Sequence, residues 1–226
     1  MAKTYAIAID GPAGAGKSTI AKTLAKELGF RYVDTGAIYR TVAYFLDLLG
    51  VSPKDVDGVE RYIDELTIVI EYDEDGKQHM LMNGMDVSDE IRTQDISQKA
   101  SLVSAHAVVR EVLLDMQRNV AKQYNVIMDG RDIGTVVLPK ADVKIFLTAA
   151  PEVRAKRRYD ELIAKGQKAQ LDTILKEIIQ RDYQDTHREI APLKMARDSI
   201  KLDTSELDID GVLAEVKRIV AAKVPL

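Results

Sequence analysis

Two rhythms of apolar residues alternate along this chain. Short, largely apolar runs read as strands: Tyr5-Ala-Ile-Ala-Ile9, Arg31-Tyr-Val33, Val126-Ile-Met128, Val143-Lys-Ile-Phe-Leu147 and Ser199-Ile-Lys-Leu-Asp203. Between them lie longer stretches whose apolar positions recur at helical spacing. The spacing predicts helices over 19–28, from Asp34 to about Gly50, over 96–105, 108–124, from Pro151 onward, over about 171–189, and over 208–223. Gly29 suits a helix C-cap and Asp34 or Thr35 an N-cap. Ser52-Pro53-Lys54-Asp55 opens a connecting helix to about Glu65. Strands alternating with helices predict an α/β fold with a central parallel sheet.

The rhythm changes once. Leu66–Tyr72 and Lys77–Asn83 flank Asp73-Glu-Asp-Gly76, the pattern of a hairpin, and Asn83-Gly84 marks a further turn. A hairpin is no parallel-sheet crossover, so it reads as an insert into the core. His79, on its second strand, has no metal-ligand spacing around it and reads as a surface residue.

The first strand runs into Gly11-Pro12-Ala13-Gly14-Ala15-Gly16-Lys17-Ser18, a glycine followed four residues later by Gly-Lys-Ser, with a helix after it. This is a phosphate-binding loop in strand–loop–helix context. Its N–H groups and the helix N-terminus would face phosphates, Lys17 the β/γ oxygens, and the Ser18 hydroxyl Mg²⁺. The fold class expected is therefore that of the P-loop NTPases, three layers around a parallel sheet.

Composition narrows the setting. The chain has 226 residues, 46% of them hydrophobic, enough for one α/β domain with insertions. A net charge of −4 disfavours a general nucleic-acid partner, and with no cysteine there is no disulfide or thiolate chemistry. The early first strand leaves no room for a signal peptide, and no apolar run approaches the roughly 18 residues of a membrane span. A cytoplasmic protein without membrane or nucleic-acid partners is expected.

Other charged residues gather where α/β sheets bind ligands, at the C-terminal edge of the strands. Asp129-Gly130-Arg131-Asp132 follows the strand ending at Met128, the position of Walker-B-type carboxylates. Asp129 is thus a second candidate for Mg²⁺, against a plain charged turn. Arg40 lies near the same edge, as a ligand contact or an exposed arginine. Arg154, Arg157 and Arg158 fall on one helical face, to meet an anion or to pair with Glu152 and Glu161. In the following helix Ile174, Leu175, Ile178 and Ile179 form an apolar stripe, with Arg181, Asp185 and Arg188 on a neighbouring face. The two helices would make a basic hairpin able to close over phosphates. Such equipment suits phosphoryl transfer, where catalysis is mostly positioning and charge stabilisation.

Together, Ile9-Asp-Gly-Pro-Ala-Gly-Ala-Gly-Lys-Ser-Thr19, Asp34-Thr-Gly-Ala-Ile-Tyr-Arg40, Glu90-Ile-Arg-Thr93, Asp129-Gly-Arg-Asp-Ile-Gly134 and Arg181-Asp-Tyr-Gln-Asp-Thr-His-Arg188 resemble bacterial cytidylate kinases over nearly the whole chain, in order. The resemblance implies transfer of the γ-phosphate of ATP to CMP or dCMP with Mg²⁺. It implies one domain over 1–226: a core of about 1–65, 96–150 and 189–226, a monophosphate-binding insert of about 66–95, and a lid of about 151–188. It also assigns residues. Gly11 to Thr19 would hold ATP, with Arg157 reaching it from the lid. Thr35, Arg40, Ser101, Arg110, Arg131, Asp132, Arg181, Asp185 and Arg188 would line the CMP site. Lys17, Arg131, Arg157 and Arg181 would be catalytic, and Ser18 and Asp129 would hold Mg²⁺, directly or through water. Thr35 stands where some members have serine, which touches only fine substrate preference. A monomer is expected.

Three other readings compete. A UMP or AMP kinase shares the chemistry and differs in base contacts. A GTPase-like switch needs Asn-Lys-x-Asp, and none of Asn83, Asn119 and Asn125 precedes a lysine. A nucleic-acid motor is disfavoured by the acidic balance and by a chain too short for a tandem core.

Overall fold

The computed structural model describes residues 3–224. In chain order its elements are β1 (Ala6–Asp10), α1 (Lys17–Leu28), β2 (Arg31–Asp34), α2 (Thr35–Leu48), α3 (Val56–Tyr62), β3 (Ile68–Tyr72), β4 (Gln78–Met82), β5 (Met85–Asp86), α4 (Gln94–Val103), α5 (Ala107–Gln123), β6 (Val126–Gly130), β7 (Val143–Thr148), α6 (Pro151–Ala164), α7 (Leu171–His187), β8 (Ile200–Asp203) and α8 (Ile209–Ala221). Single helical turns at Ile63–Glu65, Glu90–Arg92 and Ile133–Val137 complete it.

Five strands form one parallel sheet in the order β2-β6-β1-β7-β8. Apart from Lys144 near the start of β7, its middle strands are apolar up to their C-terminal residues because both faces are covered. The side chains still alternate. Val126 and Met128 pack toward α2, α4 and α5, whereas Ile127 joins Ile7, Ile9, Val143, Ile145 and Leu147 under α1 and α8. The other polar residues of these strands enter at their C-terminal ends. Registers Asp34 to Asp129, and Asp10 to Gly130, bring the ends of β2, β6 and β1 level at one sheet edge.

The expected hairpin is present and gains a third strand, since β5 pairs with β4 through Asn83-Gly84. Two residues carry too little pattern to be foreseen. The small antiparallel sheet reaches the core at β2: Tyr72 donates to the Tyr32 carbonyl at 3.0 Å, and Gln78 Oε1 accepts from Asp34 N at 2.8 Å. α6 and α7 bury Ala155, Leu162, Ile174 and Ile178 between them. Of the predicted stripe on α7, Leu175 is half-buried against that cluster and Ile179 is exposed. The hairpin is only two helices thick, so its far side has nothing to cover it.

Candidate active site

β1 ends in Asp10 and turns at Gly11 with φ +149°; a Cβ there would lie 1.9 Å from the Leu147 carbonyl oxygen, so the turn admits only glycine. Gly16 caps α1 in the left-handed region at φ 88°. The loop between wraps Lys17, whose Nζ donates to the Pro12 carbonyl at 2.7 Å. Burial pushes the Lys17 ammonium down to about 7, and the charge of Arg131 adds to the shift. Ser18 Oγ donates to Asp129 Oδ2 at 2.8 Å, and Tyr32 Oη donates to Asp129 Oδ1 at 2.7 Å. Asp129 is buried; desolvation and the neighbouring Asp34 raise its pKa.

The loop after β6 is braced by Asp10, a buried acid at the end of an apolar strand. Its two oxygens accept from Ile133 N and Gly134 N at 2.7 Å each. Those bonds fix the turn at Ile133–Val137 and thereby aim the two residues before it. Arg131 donates to Asp185 of α7 at 2.7 Å. Burial works to raise Asp185, but Arg131 and Arg181 outweigh it and hold the carboxyl low. Asp132 faces the other way, bonded to Arg110 and 3.5 Å from Arg188 Nη2. Arg110 also holds the Ser104 carbonyl, and Arg188 the Ser104 hydroxyl at 3.0 Å.

Asp34 caps α2 by accepting from Ala37 N at 2.8 Å and pairs with Arg40 at 3.0 Å. Thr35 donates to the Asp129 carbonyl at 2.7 Å. Ser101 lies 3.4 Å from Asp185. Arg181 makes no hydrogen bond or ion pair among the described residues, and its buried Nε has no partner; the buried Nε of Arg40 has none either. Burial pushes Arg181 down to about 10, helped by the charge of Arg131.

A cleft of about 230 Å³ takes its walls from Lys17, Ser18, Arg40, Asp132, Arg181 and Arg188. Ala13, Gly14, Thr35, Ser101, Asp129, Arg131 and Asp185 line it too, so loop, sheet edge and α7 meet in one space. Of the predicted monophosphate contacts only Arg110 stays behind the wall, reaching the cleft through Asp132.

The three arginines of α6 do not act as one basic face. Arg154 is buried and faces inward, with Nη1 and Nη2 on Asp182 at 3.0 and 2.6 Å and Nη1 also on the Ala13 carbonyl at 3.0 Å. It braces the phosphate loop from behind. Arg158 pairs with Glu161 at 2.8 Å, the solvated alternative. Arg157 is outside the cleft lining and holds Thr204 and Leu207 beyond β8, with Nη2 at 2.6 Å from the Thr204 carbonyl. Residues three and four apart share a helix face, but the chain wraps this face on both sides, so each arginine meets different neighbours. Asp10, Tyr32 and Gln78, and the pairing of Arg154 with Asp182, had no functional signal of their own in the sequence. Asp10 and Asp182 stand inside the motifs that carry the family resemblance.

Comparison with known proteins shows the family. The cytidylate kinase family model matches residues 7–222. A cytidylate kinase of Carboxydothermus hydrogenoformans is 47% identical over 217 residues, covering 96% of this chain and 97% of its own. One of Clostridium tetani is 45% identical over 218 residues, covering 96% and 94%. Among solved structures, an uncharacterized protein from Eubacterium ventriosum superposes with a TM-score of 0.53 at 14% identity, covering 97% of this chain and all of that one, a likeness of fold alone. A phosphate loop facing an arginine-lined cleft is common to many kinases; near-full-length identity of this level is not, and the chain belongs to the cytidylate kinase family.

Proposed function

We propose that this chain transfers the γ-phosphate of ATP to CMP or dCMP in the single cleft described above. The observation that carries the reading is the meeting of Lys17 and Ser18 with Arg181, Asp185 and Arg188 in that one space. An oxygen of the monophosphate attacks the γ-phosphorus, the bond to the β-bridging oxygen breaks, and ADP and CDP (or dCDP) leave. Little covalent work falls to the protein, whose task is positioning and charge stabilisation.

Roles follow from the chemistry of each group. Residues Gly11 to Thr19 hold the ATP phosphates, and Lys17 becomes fully charged against them. Arg40, Arg131, Arg181 and Arg188 hold the monophosphate and the transferring group, for which a planar fork of donors is suited. Arg181 and Arg40 support this most directly, each with a buried N–H still to be satisfied. Asp132 and Asp185, with Thr35, Ser101 and Arg110, orient base and sugar. An ionised carboxylate only accepts, so Asp132 suits the amino group of cytosine and opposes the carbonyl of uracil. Arg157 meets ATP if it gives up Thr204 and Leu207 on closure of α6 and α7.

Mg²⁺ fits the residues present. A serine hydroxyl and a carboxylate stand 2.8 Å apart beside the phosphate loop, hard oxygen donors of the kind Mg²⁺ takes together with phosphate and water. Ser18 and Asp129 would hold it, directly or through water, and it would neutralise charge on the phosphates. In this reading the small sheet, none of whose residues lines the cleft, supports β2 beside the monophosphate, α6 and α7 act as the lid that excludes water, and the protein works as a cytoplasmic monomer. Among the described residues no helix is long and apolar enough to cross a membrane.

The test offers ATP and Mg²⁺ with CMP, dCMP, UMP and AMP in turn and measures ADP. CMP and dCMP should be far ahead. A preference for UMP or AMP would move the reading to a neighbouring monophosphate kinase.

A further inference from the structure

Asp129 has two carboxylate oxygens, and the structure divides them. Oδ2 faces the phosphate loop and accepts from Ser18. Oδ1 accepts from the phenol of Tyr32 at 2.7 Å. Tyr32 is 5% exposed and sits in the core under α1, so its ring has nowhere to swing. The strand that carries it is held from its outer side as well: Tyr72 of the small sheet donates to the Tyr32 carbonyl, and Gln78 bonds Asp34 two residues on. β2 is the edge strand, and these two side chains take the place of a neighbouring strand there.

We propose that Tyr32 is a positioning residue for the metal. By occupying Oδ1, its hydroxyl fixes the rotation of the Asp129 carboxylate and leaves Oδ2 turned to Ser18, where Mg²⁺ would arrive with ATP. A free carboxylate at the end of a strand turns about its last bond. One held by a rigid phenol does not, and partners of this kind orient a ligand and tune its affinity. A phenylalanine would fill the same apolar space, so packing under α1 does not require the hydroxyl. The inference rests on the reading that Ser18 and Asp129 hold Mg²⁺.

Tyr32→Phe, Asp129→Asn and the unaltered enzyme are compared by calorimetry: ATP binding with and without Mg²⁺, and CMP binding separately. Tyr32→Phe should weaken ATP binding in the presence of Mg²⁺ about 10-fold, the lower end for loss of such a partner, and leave metal-free ATP and CMP binding unchanged. Asp129→Asn should abolish the gain that Mg²⁺ brings. If Asp129→Asn removes that gain while Tyr32→Phe keeps it whole, the metal reading stands and the role of Tyr32 is overturned. If Asp129→Asn also keeps the gain, the metal reading falls and takes this inference with it. A second readout needs no variant that folds. With tyrosine labelled at Cζ in the unaltered protein, the Tyr32 resonance should move when Mg²⁺ is added to the ATP complex and stay put when CMP is added. A resonance that ignores Mg²⁺ overturns the proposal.

Discussion

Arg154 and Asp182 meet side by side, two nitrogens on two oxygens at 3.0 and 2.6 Å, and join α6 to α7 directly behind the phosphate loop. Arg154 is buried, and its remaining donors go to the Ala149 and Ala13 carbonyls. Removing one partner leaves a charge without compensation. Asp182→Asn keeps the shape, and Arg154→Met keeps most of the apolar stem. Asp182→Asn leaves the buried Arg154 charge without its anion and should lower unfolding free energy by about 3 kcal/mol in urea titration. Arg154→Met leaves only the partly exposed Asp182 unpaired and should cost less. The arginine variant should also raise KM for ATP, since Ala13 loses its support; equal stability for Arg154→Met would contradict the bracing role.

Arg181 presents the opposite case. It has no hydrogen bond or ion pair to lose among the described residues, and the like charges of Arg131 and Arg40 oppose the attraction of Asp185 and Asp182. Arg181→Ala should therefore leave stability unchanged or slightly raised. Turnover should fall about 10³-fold, the lower range for an arginine that meets the transferring group. Urea titration and kcat on the same preparation decide it, and a loss of stability without a loss of turnover would make Arg181 a structural residue.

Lys17 carries a pH signature. With its pKa near 7 before ATP binds, much of it is neutral at pH 8. Phosphates favour the charged form, so binding at pH 8 should take up close to one proton, and affinity should fall as pH rises above 7. Calorimetry in buffers of different ionisation enthalpy measures the uptake. Lys17→Met should show none, and should lose at least about 10² in turnover because the charge that meets the transferring group is gone. Zero uptake by the unaltered enzyme at pH 8 would remove the neutral lysine from the picture.

Asp132 separates cytosine from uracil. Asp132→Ala should lower kcat/KM for CMP far more than for UMP and so narrow the gap between them, because only cytosine offers the carboxylate a donor. Part of the loss comes from Arg110 and Arg188, which lean on the same carboxylate. That part weakens both substrates alike. An equal fall for CMP and UMP would place Asp132 in the support of the arginines alone.

What the chain determined by itself is local. Strand and helix periods, the glycines of the phosphate loop and the cap at Asp34 each express a demand that a residue makes on its own backbone, so they are legible within a few positions. β1, α1 and the β3–β4 hairpin stand where the pattern put them. The meeting of Arg131 with Asp185, 54 residues apart, was legible only through a family resemblance spanning the chain. Tertiary structure alone decided which charge answers which. Arg154, Arg157 and Arg158 look alike along a helix, yet one is buried on Asp182, one holds the Thr204 carbonyl and one pairs in solvent with Glu161. A guanidinium's role depends on the carboxylates and carbonyls around it, and those come from segments that only folding brings within 3 Å. The same holds for Asp10 and Tyr32. Each sits in an apolar strand whose pattern says buried, and only the packed neighbour shows that one braces the loop after β6 and the other holds Asp129.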